Sequence, residues 1–186
     1  MVWIQPNAAG PLAVVSAWIA ALLPWNVTYS SGGGQWVLFV RFPFVEFQYT
    51  SGFGSGIDGP ALRTVRGAIA AQSGQGLESA TLVWGGGALV VAAAVVLSVV
   101  YYTNETQLAD LPVDPVRLMG GLLGLAALLF AVATGFVWTG GFGGIPIPVG
   151  VPLVGLLAWV LLRAEIPEEA TDDPPGDEAD PKPNVD

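Results

Sequence analysis

Residues 80–102 read ATLVWGGGALVVAAAVVLSVVYY, and between Glu78 and Glu105 the chain carries no charged side chain. A helix over this stretch rises about 35 Å, enough to cross a hydrocarbon core of roughly 30 Å with some tilt. It reads as a membrane span, and three other apolar runs take their meaning from it. The expected spans are 8–25, 80–102, 116–138 and 145–162. The expected fold is an all-α membrane bundle of four transmembrane helices over residues 1–163. The insertion 26–78, between the first and second spans, is expected to hold a short β-ribbon and an interfacial amphipathic helix. Residues 164–186 are expected to form a disordered acidic tail.

Composition agrees with a membrane domain. Of 186 residues, 53% are hydrophobic and only 11% charged, too apolar and too charge-poor for an ordinary soluble domain. The absence of Cys and His removes thiolate chemistry, disulfides, His-bearing metal sites and imidazole as a base. The net charge of −9 is uneven: nine of fifteen acids follow Arg163, leaving six acids against five arginines up to and including it. Acid excess with a single Lys is the surface chemistry expected of a halophilic protein, where hydrated carboxylates maintain solubility.

The first span, Ala8 to Trp25, has no Lys or Arg before it, as a secretory signal would require, and is expected to stay uncleaved. Trp3 and Trp25 are expected at its two interfaces, with Pro24 stopping the helix. In the insertion, QWVLFVRFPFVEFQYT (35–50) is dense in aromatic and β-branched residues around Pro43. Two short strands meeting there fit better than one helix. Pro60 is expected to open a short helix capped by Asp58 or Gly59, with Leu62, Val65 and Ile69 on one face and Arg63 and Arg66 on another. That helix either lies in the membrane interface with its arginines as headgroup anchors or packs on the bundle. Asp114 and Pro115 form a good start for the third span. Pro146, Pro148 and Pro152 crowd the start of the fourth, which is expected to become regular from about Pro148. The tail has almost no large apolar residues and cannot offset its ordering entropy.

RFPF (41–44), VDPVRLMGGLLGLA (113–126) and IPIPVG (145–150) resemble an uncharacterised haloarchaeal family of small four-span integral membrane proteins, a domain of unknown function. The resemblance covers residues 1 to about 163. It implies a fold and a source, and carries over no activity, substrate or site.

Chemical motifs do not survive inspection. Gly54-Ser55-Gly56-Ile57-Asp58-Gly59 matches G-x-G-x-x-G, but a loop and a membrane span follow it, so no βαβ unit can be completed. Gly52-Phe53-Gly54-Ser55-Gly56 surrounds a serine that has no His to activate it. Arg117 and Arg163 lie at the ends of the expected spans, where they can snorkel, and no Asp, Glu, Lys or Arg lies in their interiors, where ionisable residues usually mark ion paths. The expectation is a non-enzyme with no cofactor, no metal and no nucleic-acid partner.

What remains is packing and contact. Gly120, Gly124, Ala127, Ala131 and Thr134 make a small-residue seam on the third span, and Thr81, Gly85, Ala88 and Ala92 make one on the second. The two seams are expected to meet in a core hairpin, the other reading being dimerisation between chains. Trp36, Phe39, Arg41, Phe42, Phe44, Phe47 and Tyr49 have the composition of a contact surface. They either dock a partner or lid the bundle. The most direct functional reading is an interaction, assembly or envelope component of the cell membrane, multi-pass, with cytoplasmic termini. Its partners would be the lipid bilayer and a membrane protein or a second copy of itself. A small-solute channel or carrier is the alternative, resting on the proline-interrupted fourth span.

Overall fold

The computed structural model describes residues 9–104, 113–141 and 143–164. Their order is α1 (Ala9–Leu22), β1 (Asn26–Gly32), β2 (Gln35–Arg41), β3 (Val45–Ser51), β4 (Gly59–Thr64), α2 (Val65–Gln72), α3 (Glu78–Thr103), α4 (Pro115–Thr139), β5 (Ile145–Ile147) and α5 (Val151–Leu162). The fold is therefore mixed α/β. Among the described residues five helices accompany a five-stranded antiparallel sheet of order β4-β3-β2-β1-β5. The expectation of an all-α bundle of four spans was wrong.

Among the described residues two helices, α3 and α4, are long and apolar enough to cross a membrane. With 26 and 25 residues, each rises nearly 40 Å. The other two expected spans fall short for a local reason in each case. Pro24 stops α1 after 14 residues, about 21 Å, and Trp25 turns into the core instead of sitting at an interface: it is 2% exposed. Pro146 and Pro148 hold the chain extended, so that residues 145–147 join the sheet as β5 and α5 has only 12 residues.

Local chemistry explains the remaining boundaries. Asp114 caps α4 as expected, its carboxylate accepting from Val116 N at 2.7 Å and Arg117 N at 3.0 Å. Gly33 and Gly34, both at positive φ, form the two-residue turn whose twist suits a β1–β2 hairpin. The expected pair of strands around Pro43 is present as β2 and β3. The expected helix from Pro60 is not: residues 59–64 form edge strand β4. The helix starts at Val65, capped by Thr64, whose hydroxyl accepts from Gly67 N. Asp58 caps no helix. Its carboxylate accepts from the backbone N–H groups of Gly52, Phe53 and Gly54 and latches the β3–β4 loop. The G-x-G-x-x-G stretch is this loop. Trp3 and the acidic tail lie outside the described residues.

The core has two layers. In one, the small stripe Ala9, Ala13, Ala17 and Ala20 of α1 packs with Ala94, Met119, Leu123, Val154, Ala158 and Leu161. In the other, nearer the sheet, Trp25, Trp84, Val91, Phe130 and Ala133 meet. Trp25 stacks on Phe130 with centroids 5.1 Å apart, a contact worth about 0.5–1.5 kcal/mol beyond area burial. The indole N–H of Trp84 donates to the carbonyls of Phe42 and Pro43, both at 3.0 Å, tying the β2–β3 turn to α3.

Candidate functional site: a sheet with its apolar face outward

The register sorts the side chains of the sheet into two faces, because residues directly opposite in an antiparallel pair share a side. On one face, Asn26, Arg41, Glu46 and Arg63 form a row across four strands, followed by Thr28, Phe39, Gln48 and Ala61. On the other face, Ile147, Val27, Val40, Phe47 and Leu62 form a row, then Ile145, Tyr29, Leu38, Tyr49 and Pro60, with Trp36 beyond. The polar face is the buried one. Asn26, Thr28, Arg41 and Glu46 are each at most 5% exposed, whereas Ile145 and Leu62 are 68% and 70% exposed.

The buried row is held by a charged network. Arg41 Nε donates to Glu46 Oε2 at 2.8 Å, and its Nη1 donates to Thr28 Oγ1 at 2.8 Å and Asn26 Oδ1 at 3.0 Å. The Thr28 hydroxyl donates in turn to Asn26 Oδ1 at 2.7 Å. The Arg41 guanidinium also lies 4.7 Å from the Phe39 ring centroid. Burial lowers the Arg41 pKa from its ordinary value, and the Glu46 carboxylate opposes that shift through its charge and its hydrogen bond. A buried charge persists only when so paired. The cavity beside the network, lined in part by Trp25, Arg41, Glu46, Arg63 and Trp84, measures about 10 Å³, room for about one water molecule.

The outer face carries no charged residue in its rows. Trp36 lies diagonally between two tyrosines, stacked on Tyr49 with centroids 5.1 Å apart and tilted to Tyr29 at 6.3 Å. Proline stands in both edge strands, Pro60 in β4 and Pro146 in β5, and removes a ladder donor at each edge.

Of the seven residues expected to form a contact surface, the structure places Trp36, Phe47 and Tyr49 on the outer face. Phe42 and Phe44 belong to the β2–β3 turn, Phe44 exposed and Phe42 half-buried. Phe39 and Arg41 are buried on the inner face. Sequence reasoning missed Val27, Tyr29, Leu38, Leu62, Ile145 and Ile147. Of the two expected anchors, Arg66 is exposed, but Arg63 is half-buried, paired in register with Glu46.

The small-residue seams turn to different neighbours. A Cβ on Gly120 would meet Leu161 of α5 at 3.0 Å, and one on Gly124 would meet Ala158 at 3.7 Å. Ala127 packs in that same layer, while Ala131 is exposed. Gly85 faces Ile69 and Val65 of α2, and Ala88 and Ala92 line the groove below them. The α3–α4 contact is made elsewhere, where a Cβ on Gly87 would fall 2.5 Å from the Phe130 ring. Asn26, a glycosylation sequon by pattern, is fully buried.

The model of a family described as "Family of unknown function (DUF7549)" matches residues 2–166, and the chain belongs to that family. No curated protein matches the chain.

Proposed function

From a member of this family with two long apolar helices and an outward apolar sheet face, we propose a non-enzymatic membrane component that acts by assembly, pairing through that face with a second copy of itself. The observation that carries this reading is the inverted sheet, polar inward and aromatic outward. An uncharged apolar face this broad is a surface that monomers seldom leave in water. Open sheet edges cannot sit in hydrocarbon, so lipid tails do not cover it. The proline-bearing edges favour association face to face over strand addition.

A second copy suits the face because the membrane fixes height and orientation. Two chains related by an axis along the membrane normal present identical faces at equal distance from the bilayer, the condition for a closed two-fold pair. An uncharged face also brings no like charges together, although the chain as a whole is acidic.

The described chain ends, near Ala9 and Ala164, lie at the opposite end of α3 and α4 from the sheet, as the contact of Gly10 with Tyr101 indicates. With cytoplasmic termini, the sheet is external. The acid excess fits a source rich in salt.

The test is the mass of the full chain in mild detergent and in lipid discs. A dimer is expected, with Tyr49→Glu giving a monomer that remains folded, with buried Trp25 and Trp84 still shielded. A wild-type monomer in both media, or a dimer indifferent to Tyr49→Glu, overturns the reading.

A further inference from the structure

A groove of about 590 Å³ runs between α2 and α3. Its floor is nearly free of side chains, formed by Gly85, Gly86, Ala88 and Ala92, and Leu82 and Leu89 stand along it, 53% and 74% exposed. A Cβ added at Gly86 would meet nothing within 4 Å. At its sheet end the groove is bordered by Arg66. Among the described residues the ion pair is Arg41–Glu46, so Arg66 keeps its charge outside any such pair, at the mouth of an apolar trough. From Leu82 to Ala92 the helix descends about 15 Å, half of a hydrocarbon core and so the depth of one leaflet.

We propose that this groove binds one anionic phospholipid, with its phosphate on Arg66 and one acyl chain lying over Gly86 toward Ala92. The planar guanidinium matches phosphate oxygens two at a time, and the glycine floor leaves the width a chain needs. The site rests on α3 crossing the bilayer and is independent of the pairing face.

The full chain, delipidated in mild detergent, is titrated with phosphatidylglycerol, with phosphatidylcholine of the same acyl chains, and with inorganic phosphate, and bound lipid is counted by native mass spectrometry. One phosphatidylglycerol per chain is expected, several-fold tighter than phosphatidylcholine. Arg66→Gln should weaken it about tenfold, the scale of one charged hydrogen bond. Gly86→Leu should abolish retention of both lipids while leaving the unfolding temperature unchanged. Equal binding of the two lipids, wild-type binding by either variant, inorganic phosphate competing fully with the lipid, or a protein helix found seated in the groove each overturns the proposal. Alkaline carbonate extraction of the same membranes separates the two levels. A chain released by carbonate refutes the spanning of α3, whereas a chain retained without lipid refutes the groove alone.

Discussion

Glu46→Gln removes the countercharge of Arg41 while keeping the shape of the side chain. Arg41 is 4% exposed, and its guanidinium cannot shed its proton to escape burial. At the 2.8 Å separation of the pair, the Coulomb attraction is about 6 kcal/mol at an effective dielectric of about 20. The glutamine retains an acceptor for Arg41 Nε, worth about 1 kcal/mol as a neutral bond. Partial relaxation recovers some of the rest, so the expected loss is about 3–5 kcal/mol, the range for removing one partner of a buried pair. Replacing both partners, Arg41→Met with Glu46→Leu, leaves no orphan charge, and Thr28 and Asn26 still bond each other. That double variant should lie within about 2 kcal/mol of wild type. Unfolding in mild detergent, followed by the fluorescence of buried Trp25 and Trp84, measures all three. A Glu46→Gln loss below about 1 kcal/mol, the range of exposed pairs, would refute the claim that the polar face is the buried one.

Gly87→Leu should destabilise the chain by about 1–3 kcal/mol through overpacking against Phe130, while Gly86→Leu, beside open space, should be near neutral; equal unfolding temperatures would contradict the assigned α3–α4 contact. Trp84→Phe should cost about 1–3 kcal/mol by leaving buried carbonyls of the β2–β3 turn unpaired, read in the same assay. Because the chain lacks Cys, cysteines at exposed Ser31 and Asn104 report orientation: an impermeant thiol reagent on intact cells should label Ser31→Cys and not Asn104→Cys, and the opposite pattern reverses the topology.

The long helices were legible because α3 and α4 are uniformly apolar over their length and Asp114-Pro115 marks a start. The strands flanking Pro43 were legible from their aromatic and β-branched density. The first helix and the last were overread because apolar content alone does not distinguish a span from a short helix followed by a buried Trp25, or one preceded by an extended Ile-Pro-Ile. Residues 59–64 were misread because Pro60, Leu62, Val65 and Ile69 mimic helical spacing, whereas Pro60 is tolerated in a strand at a sheet edge. A readable signal for β1 was present in Gly33-Gly34, a two-residue hairpin turn between strand-like runs. The inversion of the sheet was not legible. Alternation places Arg41 with Phe39 and Trp36 with Leu38, but which set is buried depends on where α2, α3 and α4 lie. A lone Arg among aromatics reads as surface until its partner Glu46 is brought opposite it.

The most direct measurement is disulfide formation between single cysteines in native membranes, using Leu38→Cys and Tyr49→Cys on the outer face and Gln48→Cys on the inner. Mild oxidation should cross-link one or both outer-face variants to twice the chain mass and leave Gln48→Cys monomeric. Cross-linking at Gln48 alone, or none at Leu38 and Tyr49, would contradict an outward apolar face that pairs with a second copy.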